Sequence, residues 1–471
     1  MIGKSLLIML AAAAWLASAG VAEAANPAYR VPEKVEYKEK CCQDLAAIAK
    51  KYNIEGIFSR DFEEGKNCLT RVELAAALDL VNEKLAEKVV REGGTAVAKA
   101  DLDVLAEIRE ELRAEMLLVG TRTFQQRNEL LGTLLHPLTK TISLSGQLVG
   151  VFQSTAGYKN AGVKQNDHSA FNGRGDLVFN FRVGENTIAV IDLDALLGNG
   201  IDPKAPSYSG LNGVADNTDA RARFRQAWVE TTMFDEKLVA TIGKIDLANY
   251  VDANGIANDE NSQFLSPAFV NAHILGVPDK TPGARLSAKL GEPAQLTLAY
   301  GGGDSTGDEF LQHGFGVAEL DCKLKFWDLE GNYRVYGAID GTLPDGSIKI
   351  EQKNAYNAGI SIDQQLTDKL TLFGRFGQRD RNAYTTSRSW SAGLQYVGLI
   401  PGRADDTLGF AFGQISGKNL PGQEKLAEWY YRVKVNDKIS ISPIVQYLIN
   451  PEGQKDQDNV VALGLRALVS F

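Results

Sequence analysis

The chain has 471 residues with 50 Lys+Arg against 59 Asp+Glu, a formal net charge of −9, and it carries no long basic cluster. Nucleic acid as a partner calls for a basic footprint, so this balance argues against it. Four cysteines in a chain of this length do not make a disulfide scaffold, and 44% hydrophobic residues with 46 glycines suit a long folded chain rather than a disordered one.

Lys4 precedes an apolar run over 5–19, and Ala22-Glu23-Ala24 follows as a small-x-small cleavage site. Residues 1–24 therefore read as a secretory signal peptide and 25–38 as a linker. No later stretch approaches the roughly 18 uninterrupted apolar residues that a membrane helix needs. An exported chain of this kind crosses a membrane only with strands, because a closed barrel is the other architecture that satisfies every backbone group in lipid.

Residues 39–88 predict a small helical module: CQDLAAIAKKYNI, a Gly-containing loop, then LTRVELAAALDLVNEKL. In the second helix Thr70 precedes Glu73 at capping-box spacing, and Leu74, Ala77, Leu78, Val81 and Leu85 recur every three or four residues. The segment GIFSRDFEEGKNCLTRVELAAAL resembles the second half of an S-layer homology (SLH) motif, and Leu69, Thr70, Arg71 and Glu73 match its Leu-Thr-Arg-x-Glu. Members of that family bind cell-wall polymers, so the resemblance implies wall binding by these four residues, with peptidoglycan or a wall-linked polymer as partner. The motif's aromatic opening and its Pro-Asp-Gly are missing; Arg60-Asp61-Phe62 and Glu63-Glu64-Gly65 stand in that neighbourhood. In an oxidising periplasm, one bridge from Cys41 or Cys42 to Cys68 would close a short loop and contribute about 3 kcal/mol, with Cys42 and Cys68 the candidate pair and unpaired thiols the alternative.

Residues 89–138 predict a stalk. After Gly93-Gly94, the stretch 101–131 spaces Leu102, Leu105, Ile108, Leu112, Met116 and Val119 in a narrow stripe. Such a stripe on a helix of about 45 Å suits a coiled coil that would join copies of the chain. A single helix lying on the mouth of a barrel, or plugging it, is the alternative.

From 139 to 471 the period changes to two. TISLSGQLVGVF sets Ile142, Leu144, Leu148 and Phe152 against Ser143, Ser145 and Gln147, and the beat returns in DLVFNFRVG, KLTLFGRFGQRD, TLGFAFGQIS and EWYYRVKV. Tight turns alternate with long polar connections at 153–173, 198–219 and 246–283. About 330 residues at roughly 20 per strand predict an all-β transmembrane barrel of about 16 antiparallel strands, a size that leaves an aqueous channel. In the last strand Val461, Leu463, Leu465, Ala467 and Val469 share one face, with Arg466 on the other. The same phase places Arg182, Arg285, Lys323, Arg334, Tyr336 and Arg466 on the lumen side, because a cation at the lipid midplane costs about 2–4 kcal/mol. The terminal Phe471 resembles the signal that bacterial outer-membrane assembly machinery reads.

The region 140–471 also resembles the OprB-type carbohydrate-selective porins, through AGISIDQQLTDKLTLFGRFG, WSAGLQYVGLIPGRADDTLGFAFGQI and EWYYRVKVNDKISISPIVQYLINPEG. The order of wall motif, stalk and barrel resembles porins that tie the outer membrane of diderm bacteria to the wall, with the N-terminal region in the periplasm; by analogy with other stalked porins, the stripe at Leu105, Ile108, Leu112, Met116 and Val119 would join three copies into a homotrimer. The resemblance implies passive diffusion of small hydrophilic solutes, carbohydrates or ions, through a wall-tethered channel in outer-membrane lipid. The rival expectation is a structural tether with little transport. Enzyme chemistry is not expected: G-x-S-x-G, H-E-x-x-H and Walker A patterns are absent, and His136, His168, His273 and His313 lie far apart. Asp252, Asn254, Asp259 and Glu260 lack EF-hand spacing, so neither a metal nor another cofactor is expected.

Overall fold

The computed structural model describes residues 29–30, 34–54, 56–92, 96–112, 142–156, 159–160, 163–164 and 168–470, the last with gaps inside connecting segments, the longest at 342–354. The signal-peptide run, Met116, Val119 and Phe471 lie outside the described residues.

Four helices, α1 (Lys40–Lys51), α2 (Arg60–Glu63), α3 (Arg71–Glu92) and α4 (Lys99–Glu111), build an N-terminal module. Its core holds Leu45, Phe62, Leu74, Leu78 and Val81. At the start of α3 the Thr70 N–H and hydroxyl donate to Glu73 Oε2 at 2.7 and 3.0 Å, and the Glu73 N–H donates to Thr70 Oγ1 at 3.3 Å. This reciprocal box satisfies amides that the first helical turn leaves without partners. Arg71 donates from Nη2 to the Glu111 carbonyl at 2.6 Å, which ties α3 to the end of α4.

Two expectations change here. The helix expected over 101–131 ends at Glu111, and Leu105, Ile108 and Leu112 are buried in the module core while Leu102 is 46% exposed. Three-and-four spacing serves a packing face as well as a coiled-coil seam, and these residues form the former, so the module continues to Leu112 rather than stopping at residue 88. The bridge between Cys42 and Cys68 is not formed: all four cysteines are free, Cys42 points into the core and Cys68 is exposed.

Sixteen longer strands follow. The first eight are β1 (Ile142–Ala156), β2 (Ser169–Arg182), β3 (Thr187–Leu197), β4 (Arg221–Met233), β5 (Leu238–Ile245), β6 (Thr281–Lys289), β7 (Ala294–Gly301) and β8 (Phe315–Phe326). The other eight are β9 (Leu329–Asp340), β10 (Ala355–Gln365), β11 (Leu370–Arg379), β12 (Arg388–Val397), β13 (Thr407–Ser416), β14 (Glu424–Lys434), β15 (Ile439–Ile449) and β16 (Val460–Ser470). Each pairs antiparallel with its neighbours, and β16 returns to β1 from Val461↔Ala156 to Ser470↔Gln147, closing the ring. Closure leaves no sheet edge to hydrogen-bond with lipid. A further two-residue strand, Tyr29–Arg30, pairs with Phe326 and Lys325.

Both ends of the barrel chain, Ile142 and Ser470, lie at one rim. There the connections are tight, as at Trp327-Asp328, where φ of 51° and 65° gives the left-handed pair that a two-residue hairpin needs. The opposite rim carries the long connections, including 198–220 and 246–280. Alternation sorts the faces. In β16 Leu463 and Leu465 are half exposed toward lipid while Arg466, one residue on, is 1% exposed. In β1 Leu148 and Phe152 point out, and Gln147 and Gln153 point in.

Candidate functional site

The barrel interior is not left open along its whole width. The described parts of two connections, 198–215 and 246–278, fold inward and meet the inward row of the wall. The second opens with a one-turn 3-10 helix, Leu247–Asn249, capped by Asp246, and carries a short helix, α5 (Pro267–Val270), capped by Ser266. Phe264 packs against Phe269, Phe373 and Tyr430 with ring centroids 5.6, 5.6 and 5.1 Å apart, burying loop aromatics on wall aromatics. Inward-facing Gly377 lets the loop lie flush, since a Cβ there would sit 2.4 Å from Ile274 Cδ1.

A loop brought out of water must find partners for its backbone, and wall side chains supply them. Glu428 accepts from the N–H groups of Leu265 and Ser266 at 2.5 and 2.9 Å. Glu319 accepts from Asp252 N–H at 2.7 Å. Glu424 accepts from Tyr208 and Ser209 N–H at 2.9 and 2.7 Å, holding the 198–220 connection. Arg375 from β11 does most: Nε donates to Asp252 Oδ1 at 2.9 Å, Nη1 to the Phe269 carbonyl at 2.7 Å, and Nη2 to the Ala257, Asp252 and Val270 carbonyls at 2.6, 3.2 and 3.2 Å. The planar five-donor fork of arginine suits this role, where lysine would offer a point charge.

Beside the seated loop, alternating charges run along the inward face. Arg174 pairs with Asp176 at 3.3 Å and with Glu260 of the loop at 2.8 Å, Arg225 pairs with Asp176 at 3.1 Å, and Arg223 pairs with Asp194 at 3.1 Å. Arg285 pairs with Glu230 at 2.8 Å, and Arg334 with Asp363 at 2.7 Å. These pairs keep the inward face polar, and among them Arg223, at 22% exposure, retains the most accessible surface.

The residues singled out from sequence fall in different surroundings. Arg285 faces inward with its guanidinium 3.9 Å from the Tyr250 ring centroid. Lys323 faces inward near the rim of tight turns and is exposed. Arg334 and Tyr336 face inward but are buried, at 5% and 1% exposure, and the Tyr336 hydroxyl lacks a hydrogen-bond partner among the described residues. Arg466 lies beneath the loop, donating from Nη1 to the Glu260 carbonyl at 2.7 Å. Arg182 pairs in register with Ile188 at the end of β2. Arg375, Glu428, Glu319, Arg174 and Arg225 were not singled out, although a charged residue at mid-strand on the non-lipid phase is the signal that marks each. Asp252, Asn254, Asp259 and Glu260 are engaged in loop and wall bonds, and among the described residues no group of three or more potential ligands is placed to hold a metal ion.

One loop group is set to respond to pH. His273 Nε2 lies 3.1 Å from Thr386 Oγ1, and Arg379 also donates to that hydroxyl. The ring keeps some accessible surface yet is surrounded by protein, and burial, with the Arg379 cation beside it, pushes its pKa down to about 3. The unseated ring titrates near 6.5, so it takes up a proton that the seated ring refuses. Seating is therefore favoured above about pH 7 and weakens as pH falls through 6.5 toward 3. Channel current noise should rise between pH 7 and 4 in the native protein and stay flat in H273Q; identical profiles would remove His273 from this role.

Comparison with known proteins agrees with the geometry. The family model described as carbohydrate-selective porin, OprB family, matches residues 96–471. A solved structure of Pseudomonas putida OprB superposes with a TM-score of 0.59 at 17% identity, covering 74% of this chain and 96% of that one. Among curated proteins, an uncharacterized Nostoc protein is 23% identical over 91% of this chain and 82% of its own length. Porin AaxA of Chlamydia felis is 23% identical over 54% of this chain and 59% of its own length. A closed sixteen-strand barrel with a charged, loop-narrowed interior, matched by the family model over most of its length, belongs to the OprB family of outer-membrane carbohydrate-selective porins.

Proposed function

We propose that this barrel passes small hydrophilic solutes, carbohydrates first among them, down their gradients, with the rim of long loops outside the cell and the other rim, with the helical module, in the periplasm. The observation that carries this reading is the inward row of paired arginines and carboxylates beside a loop pinned across the lumen. A polar solute crosses hydrocarbon only at a prohibitive cost, and a wet path lined by donors and acceptors removes most of it. Purified full-length protein in planar bilayers should give discrete conductance steps; a silent bilayer with correctly folded, heat-modifiable barrel would leave a plugged anchor instead.

The module is proposed to hold the outer membrane to the wall. The SLH-like segment supports this, with Leu69 buried and Thr70, Arg71 and Glu73 knitted into the start of α3. Deleting residues 34–112 should abolish sedimentation with purified peptidoglycan sacculi and leave conductance in place. Unchanged sedimentation would assign the module another partner.

A further inference from the structure

We propose that one corner of the barrel's outer rim is a docking site for the phosphate of an outer-leaflet lipid. The site rests on the orientation proposed above and lies on the outside of the wall, away from the lumen. Arg388 begins β12 and Lys425 is the second residue of β14, each on the phase that faces lipid. The register sets Arg388 opposite Ser416 and Lys425 opposite Gln414, with Gln378 opposite Arg388 on the other side. Two strand spacings and one two-residue step put the Arg388 and Lys425 backbones about 12 Å apart, so that both long side chains reach one phosphorylated headgroup. Just above them, Arg381 and Lys418 are exposed in the connections 380–387 and 417–423.

None of these four cations makes an ion pair among the described residues. Nearby carboxylates are turned away: Asp380 is buried, and Glu424 points inward onto Ser209. Directly below, Trp390 lies 5.7 Å from Phe412 by ring centroids, and Phe376 continues the apolar surface, so the cations cap a lipid-facing wall. A cluster of unpaired positive charge at headgroup depth, on a chain with net charge −9, matches an anionic lipid rather than an acidic protein partner, which would not share the apolar wall below. Arginine and lysine side chains with Gln378 and Gln414 offer the donors a phosphate accepts.

The test is retention of bisphosphorylated lipid A by full-length protein in detergent, read by native mass spectrometry. The native protein should hold the lipid, and R388E/K425E should hold it about tenfold more weakly while conductance and heat-modifiability are unchanged. R388K/K425R should retain it. Equal retention by the charge-reversed protein overturns the proposal. Displacement by millimolar inorganic phosphate also overturns it, because the site would then take free phosphate and owe nothing to the membrane. Should silent bilayers disprove transport, this result would stand apart, since it reads a surface the lumen does not share.

Discussion

Replacing Arg375 with alanine should free the 246–280 connection from the wall, and single-channel conductance should rise with it. The guanidinium makes bonds to Asp252, Ala257, Phe269 and Val270 from a side chain with almost no exposure. Its loss leaves the Asp252 carboxylate, itself fully buried, without its counter-charge, and several carbonyls without donors. Breaking a buried pair by removing one partner costs about 3–5 kcal/mol, which the loop escapes most easily by swinging out. Arg375→Lys should recover little, since one ammonium does not reproduce a fork that reaches carbonyls on both sides. The matching measurement is conductance together with the midpoint of urea unfolding in detergent. Raised conductance with a barely moved barrel midpoint fits a released loop; unchanged conductance would mean that the loop does not narrow the path.

The second large effect concerns ion selectivity. Arg223, Arg285 and Lys323 keep accessible surface on the inward face, whereas Arg334 and Arg466 are buried under other groups. The combined change of Arg223, Arg285 and Lys323 to Glu should shift the reversal potential across a salt gradient toward cations. Asp194 and Glu230, the present partners of the two arginines, would then repel the new carboxylates and add to the negative field. Arg466→Glu should act differently, by unseating the loop at Glu260 and changing conductance more than selectivity. An unshifted potential in the triple variant would place the conducting path elsewhere in the barrel.

Much of the wall was legible from period-two alternation alone. The faces of β1 and β16 follow from Leu148, Phe152, Leu463 and Leu465 standing against Gln147, Gln153 and Arg466, because a strand between lipid and a polar interior has only two kinds of neighbour. The capping box at Thr70 and Glu73 was equally legible, since its bonds are local. What alternation does not encode is what lies over an inward residue. Arg334, Tyr336 and Arg466 share the lumen phase with Arg285, yet contacts with 246–280 bury Tyr336 and Arg466, and the wall carboxylates Asp321 and Asp363 enclose Arg334. Arg375 and Glu428 carry the same strand-level signal as any lumen residue, and their role emerges only when a loop more than 100 positions away folds onto them. Leu105, Ile108 and Leu112 fail for a related reason: spacing along a helix names a face and leaves its partner unnamed, and here α1 and α3 occupy it.

Liposome swelling with sugars of graded size tests permeation most directly. Proteoliposomes holding the full chain should swell fastest with monosaccharides, more slowly with disaccharides, and not at all with large oligosaccharides, and the Arg375→Ala protein should move that cutoff upward. Swelling no faster than protein-free liposomes, from a barrel that is folded and heat-modifiable, would contradict a solute-conducting lumen.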